Sequence, residues 1–129
     1  MKLGLISAIL GDLNFEEMID FLAECGLECV EVACWPKGKA ERRYAGVSHI
    51  DVDTLDDEKC AHILDYCQKK GVEISSLAYY PNTMEPDVEK RTAYIEHLHK
   101  LIDASAKLGV NMITTFIGRD PKKTVYVNV

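Results

Sequence analysis

Three stretches decide how this chain folds: Cys25-Gly26-Leu27-Glu28-Cys29-Val30-Glu31-Val32, Lys70-Gly71-Val72-Glu73-Ile74-Ser75-Ser76-Leu77, and Leu108-Gly109-Val110-Asn111-Met112-Ile113-Thr114-Thr115. In each, a helix-like run ends at a glycine, an apolar residue follows, and a strand-like run begins. Glycine enters the left-handed conformation that ends a helix without the steric cost of a Cβ. One connection design used three times predicts successive βα units around a parallel sheet, an α/β fold.

The remaining elements are read outward from these junctions. A first strand is expected over residues 2–7 and a helix over 15–25. Asn14 can cap that helix, with Glu17 as its reciprocal partner. Phe15, Met18, Ile19 and Leu22 recur at helical spacing and form one apolar stripe. A second strand is expected over 29–33. After a long connection, a helix follows over 57–70, with Asp56 as its cap and Lys69 and Lys70 at the negative end of its dipole. The third strand is expected over 73–79. Asp87 then opens a long helix ending near 108, with Val88, Ile95, Leu98 and Ile102 on one face, and a fourth strand is expected over 111–117. The order is βαβαβαβ. After the loop Gly118-Arg119-Asp120-Pro121-Lys122-Lys123, valines at alternate positions of residues 124–129 predict a strand able to pair with a sheet edge.

At 129 residues the chain has room for one domain, and its 47% hydrophobic and 28% charged content is that of an ordinary globular protein. A net charge of -6 disfavours nucleic-acid and anionic-membrane partners. No apolar run approaches the ~20 residues of a membrane span, and residues 1–7 lack the pattern of a secretory signal. Five cysteines cannot all pair internally, so free thiols and a reducing cytoplasm are expected. Cys25, Cys29 and Cys34 have no CxxC spacing, and no histidine completes a zinc pattern. Neither a phosphate-cradling glycine loop nor a signature of a Ser-His-Asp or Cys-His set occurs.

The opening Lys2-Leu3-Gly4-Leu5-Ile6-Ser7, the segment Val30-Glu31-Val32-Ala33-Cys34-Trp35-Pro36, the loop His49-Ile50-Asp51-Val52-Asp53, and the stretches Leu77-Ala78-Tyr79-Tyr80-Pro81-Asn82 and Phe116-Ile117-Gly118-Arg119-Asp120 carry a resemblance. In order and spacing the chain resembles the sugar phosphate isomerase/epimerase family, the xylose isomerase-like branch of TIM barrels. The resemblance covers residues 1–123 and implies the first four strands of a (β/α)8 barrel, a half barrel. It further implies that a complete member interconverts a sugar or sugar phosphate. A divalent metal (Mn, Mg, Co or Zn) would be held by Glu, Asp, His and Glu from later strands, and two of those glutamates would move the proton. No residue here matches that set, so no catalytic or metal residue is assigned, and this chain alone is expected to be inactive. Related barrels process abasic DNA with zinc, but the acidic charge and the missing histidines weigh against that chemistry here.

In such barrels, chemistry sits where strands end. Five residues are therefore candidates for substrate binding: Trp35, His49, Tyr79, Asn82 and Arg119. Trp35 offers a stacking face for a sugar, or an apolar cover for the barrel mouth. His49, Asp51 and Asp53 alternate, so an extended segment would present all three together; the alternative has Asp53 and Asp56 serving the helix start and His49 hydrogen-bonding in the pocket. Asn82 suits a hydroxyl or phosphate, or a turn beside Pro81. Arg119 suits an anionic group, or an ion pair with Asp120. Lys37, Lys39, Arg42 and Arg43 read as a solvated loop before they read as a phosphate site, and His97 and His99 read as exposed helix positions that share no face. An open half barrel leaves sheet edges unpaired. The expected partners are therefore a second copy of the chain or a complementary half, together with a small sugar.

Overall fold

The computed structural model describes residues 1–38 and 43–122. Its strands are β1 (Gly4–Ile6), β2 (Cys29–Ala33), β3 (Glu73–Ala78) and β4 (Ile113–Thr114), and its helices are α1 (Phe15–Glu24), α2 (Asp57–Lys70) and α3 (Val88–Leu108). The strands are all parallel and lie side by side in chain order. A strand order that never reverses, with a helix between successive strands, is that of one half of a TIM barrel. A doubly wound sheet would reverse at a switch point.

Local chemistry sets the boundaries. Asn14 accepts from the Glu17 amide at 2.9 Å while the Glu17 carboxylate accepts from the Asn14 amide, a complete capping box. Asp56 caps α2 through the Lys59 amide at 2.8 Å, and Asp87 caps α3 through the Glu89 and Lys90 amides. The three junction glycines, Gly26, Gly71 and Gly109, have φ of 70°, 70° and 66°, the left-handed ending that the repeated sequence pattern requires.

The helices cover one face of the sheet. Met18, Ile19 and Leu22 of α1, Val30 and Val32 of β2, Leu77 of β3 and Leu101 of α3 are all buried in one apolar cluster. The other face carries Glu31 and Ser76, which sit opposite each other. A bulge in the β2–β3 pairing keeps this arrangement. Ile74 pairs with Val30 and Ser76 with Glu31, so Ser75 is an extra residue, and Ile74 and Leu77, three apart, both stand opposite core residues of β2.

Several expectations change. The first strand ends at Ile6, because Ser7–Leu10 winds into a 3-10 turn. The fourth strand shrinks to Ile113–Thr114. Among the described residues it bonds only to β3, through Leu77 and Tyr79 amides that donate to Met112 and Thr114 carbonyls. Residues 124–129, expected as an edge strand, lie outside the described residues, as do Lys39 and Arg42. Of the expected stripe on α3, Leu98 packs against the core, but Val88, Ile95 and Ile102 do not. His97, Leu101, Ala104 and Leu108 are buried, whereas Val88 and Ile102 are 61% and 54% exposed and Ile95 is exposed as well. At about 100° per residue, positions 88, 95 and 102 fall on the side of the helix opposite 97, 101, 104 and 108. His97 is therefore not an exposed helix position: it is 5% exposed and belongs to the sheet-facing side.

Candidate functional site

The carboxyl ends of the strands gather Ser7, Trp35, His49, Tyr79 and Tyr80. Ser7, directly after β1, is fully buried, and its hydroxyl oxygen accepts from the Ala33 amide at 2.8 Å. Ser7 Oγ also lies 2.9 Å from His49 Nδ1, while His49 Nε2 lies 3.2 Å from the Leu10 carbonyl. A carbonyl only accepts, so Nε2 carries the proton, Nδ1 is the acceptor, and Ser7 donates to it. The ring is thus held neutral in one tautomer, and burial lowers its pKa, opposed by backbone hydrogen bonds at Leu10 and Leu13. The pair resembles a nucleophile and base in distance alone. Ser7 is sealed from solvent, with a lone pair already committed to Ala33, so its part is to tie β1 to β2.

Trp35, at the end of β2, is partly buried and meets the Tyr79 ring edge-to-face, with centroids 4.9 Å apart. Tyr79 is buried and meets His97 in the same way at 4.7 Å. His97 Nε2 donates to the Cys34 carbonyl at 2.8 Å. Burial pushes the Tyr79 phenol up to about 12, with a smaller contribution from Tyr94, so it stays protonated.

On the uncovered face, the Glu31 carboxylate accepts from Ser76 Oγ at 3.1 Å and from the Tyr80 hydroxyl. Burial first, then the bond to Glu31, raises the Tyr80 pKa. Tyr80 also packs against Phe116 at 4.7 Å, so β2, β3 and the loop after β4 share one interior patch. Sequence reading passed over Glu31. The signal was a carboxylate amid the otherwise apolar Cys29-Val30-Glu31-Val32-Ala33, in a strand where every inward position counts.

Asn82 and Arg119 come together through the backbone. Asn82 Nδ2 donates to the Arg119 carbonyl at 2.9 Å, and the Arg119 amide donates to Asn82 Oδ1 at 2.8 Å. Thr83 Oγ1 adds a bond to the Ile117 carbonyl. Gly118 lies between them at φ 99°, and a Cβ there would fall 2.1 Å from Asn82 Oδ1. The Asn82 amide thus latches the β3 and β4 loops together and leaves the Arg119 side chain exposed.

His49, Asp51 and Asp53 do not share a side. The chain turns there, with the Asp53 amide bonded to Asp51 Oδ1, so the extended segment that would align them does not form. Asp51 pairs with Lys37 at 2.8 Å, which lowers its pKa, and Asp53 pairs with Lys100 of α3. Of the basic loop cluster, Lys37 is thus paired, and the Arg43 guanidinium lies 4.8 Å over the Tyr44 ring. Among the described residues, no group of three or more His, Cys, Asp or Glu could hold a metal ion. The five cysteines are free, and no described helix is long and apolar enough to cross a membrane.

Four parallel strands joined by three helices, with polar and aromatic side chains at the strands' carboxyl ends, define the first half of a TIM barrel. The chain belongs to the xylose isomerase-like TIM barrel family, whose model matches residues 19–127. Among solved structures it is similar to a D-psicose 3-epimerase crystallised with D-fructose, at 19% identity and a TM-score of 0.64, covering 98% of this chain and 42% of that one. A D-psicose 3-epimerase from Clostridium cellulolyticum H10, solved with D-tagatose, gives 18% identity and a TM-score of 0.65 over the same 98% and 42%. The probable 3-DHS dehydratase AsbF of Bacillus anthracis gives 19% and 0.60, over 90% of this chain and 38% of that one. At these identities the likeness is one of fold. The chain spans about two fifths of the length of these structures. No curated protein matches the sequence.

Proposed function

We propose that this unit forms one wall of a sugar pocket, in a barrel whose complete form isomerises or epimerises a sugar or sugar phosphate. The observation that carries the reading is the Trp35 ring, partly exposed at the carboxyl end of β2 and braced edge-to-face by the buried Tyr79. A braced indole is a platform for the C–H face of a sugar. Exposed Arg119, on the latched loop after β4, suits a phosphate or other anionic group of the substrate. His49, Tyr79 and Asn82 support these two from behind, since their bonding or burial is internal to the chain.

The described residues do not fit the divalent metal of a complete family member, and their part is binding and orientation. In this reading the metal, and the carboxylates that move the proton, belong to strands beyond these four. The five free thiols accord with a reducing cytoplasm.

The chain holds one tryptophan, so its fluorescence reports Trp35 directly. Titration with D-fructose, D-tagatose or D-psicose is expected to change that emission saturably. No change with any of these ketoses or their phosphates refutes the pocket-wall reading. The chain with added Mn2+, Mg2+, Co2+ or Zn2+ is expected to convert none of them, and turnover refutes the assignment of catalysis to other strands.

A second reading rests on the edges of the sheet. Leu3 beside β1 and Ile6 at its end are 69% and 46% exposed, and Met112 and Phe116 beside β4 are 57% and 52% exposed. Because all strands run the same way, a twofold axis along them sets β4 of one copy against β1 of the other in parallel, giving eight strands. A solution mass of twice 14.5 kDa by light scattering supports this dimer, and a monodisperse monomer refutes it.

A further inference from the structure

We infer that His97 is a positioning residue: its Nε2–H bond to the Cys34 carbonyl fixes the peptide that sets the Trp35 ring at the mouth. The inference rests on the reading of Trp35 as the sugar platform, but its structural content stands on separate observations. His97 comes from the third turn of α3 and reaches the end of β2 across 63 residues of sequence. The Cys34 carbonyl it meets belongs to a fully buried residue, whose amide donates to Ala78 at 2.9 Å. The next amide, that of Trp35, donates to Val47 at 3.2 Å. The Cys34–Trp35 peptide is therefore held on both sides, by a loop on its amide and by His97 on its carbonyl.

The indole is then braced a second time. Tyr79 stands between Trp35 and His97, edge-to-face with both, at 4.9 and 4.7 Å. Three rings from β2, β3 and α3 form one ladder, and its inner end is a hydrogen-bond donor aimed at backbone. A buried carbonyl left without its donor shifts to find another. The residue that shifts with it is Trp35. The hydrogen bond, more than the ring contact, is thus the determinant of the indole's place.

The test uses the full chain and the emission of its sole tryptophan. In His97→Ala the emission shifts to the red and acrylamide quenching rises about twofold as the indole loosens, while far-UV circular dichroism is retained. His97→Gln, which can still donate to the Cys34 carbonyl, restores the wild-type emission; His97→Phe, which keeps only the ring, does not. Rescue by Phe and not by Gln, or wild-type emission in the Ala variant, overturns the inference. If the substitutions abolish folding, nitrogen-resolved NMR of the wild-type imidazole decides. A solvent-protected proton on Nε2 is expected, and a proton on Nδ1 alone overturns the proposal. The ketose titration is read separately. Loss of sugar response in wild-type chain removes the platform reading and leaves the positioning intact, whereas unchanged emission in His97→Ala removes the positioning whatever the sugar does.

Discussion

Replacing Ser7 by alanine tests the joint between β1 and β2 at the mouth. The change removes one oxygen and leaves the backbone free to stay where it is. It strips the Ala33 amide, in a residue 1% exposed, of its acceptor at 2.8 Å, and it strips His49 Nδ1 of its donor at 2.9 Å. An unsatisfied buried amide costs about 1–3 kcal/mol, and the half-buried imidazole, which water can reach, adds up to about 1 kcal/mol. The expected loss is about 1–4 kcal/mol, a sizeable part of the 5–15 kcal/mol typical of a domain. Urea unfolding followed by circular dichroism reads it as a fall in midpoint at constant slope. The same bond has a pH signature. Burial lowers the His49 pKa in the folded chain, so on acidification the unfolded chain binds its proton first. The stability from neutral His49 is complete above the ordinary histidine pKa and falls away as pH drops from there through the lowered folded value. Protonated Nδ1 cannot accept from Ser7, so Ser7→Ala removes one reason for the ring to stay neutral, and its acid-side decline is shallower than that of the wild type. A cost below about 0.5 kcal/mol, or a steeper acid decline in the variant, refutes the assignment of the proton to Nε2 and of the donor role to Ser7.

The thiols sort by burial: Cys25, which is exposed, reacts first with a thiol reagent, while Cys34 and Cys67, pushed by burial up to about 12 and about 11, react only on unfolding, as mass spectrometry of labelled protein will show. Gly118→Ala forces a Cβ towards Asn82 Oδ1 at a left-handed φ of 99°, so it opens the loop latch at a cost of about 1–3 kcal/mol, read as faster amide exchange at Arg119; unchanged exchange refutes the latch. On α3, Leu101→Ala costs about 2–5 kcal/mol and the adjacent Ile102→Ala less than about 0.5 kcal/mol by denaturant unfolding; similar costs at the two positions would contradict the assignment of faces.

Signals confined to a few neighbouring residues are legible in the sequence. Asn14 with Glu17, Asp56, Asp87 and the three junction glycines set element ends because their chemistry closes within one helical turn. The sheet followed from them, since short helix-to-strand joints of one design leave parallel neighbours as the economical arrangement. Helix α3 shows where that logic stops. Its 21 residues carry apolar groups on more than one side, so spacing alone reads a face through 88, 95, 98 and 102, whereas the buried residues are 97, 101, 104 and 108. The buried face wins because it places Leu101, Ala104 and Leu108 in the core and sets His97 against the Cys34 carbonyl after β2 and the Tyr79 ring after β3. A histidine at an inward position reads as polar in any periodicity count, which hides the true face.

The mouth was legible as a place and not as a network. Trp35, His49, Tyr79, Asn82 and Arg119 all lie near strand ends, as the barrel expectation required, yet what each does depends on partners far away in sequence. Ser7 meets His49 across 42 residues, Glu31 meets Tyr80 across 49, and Asn82 meets Arg119 across 37. Each of these contacts crosses at least one whole βα unit, so no local pattern encodes it. The consequence for function is direct. Asn82, whose amide looked free to bind a ligand, spends its hydrogen bonds on the Arg119 backbone, and His49 spends both ring nitrogens within the chain. These residues govern the shape of the mouth, and in the proposed reading the sugar and anion contacts fall to the partly exposed Trp35 ring and the exposed Arg119 side chain.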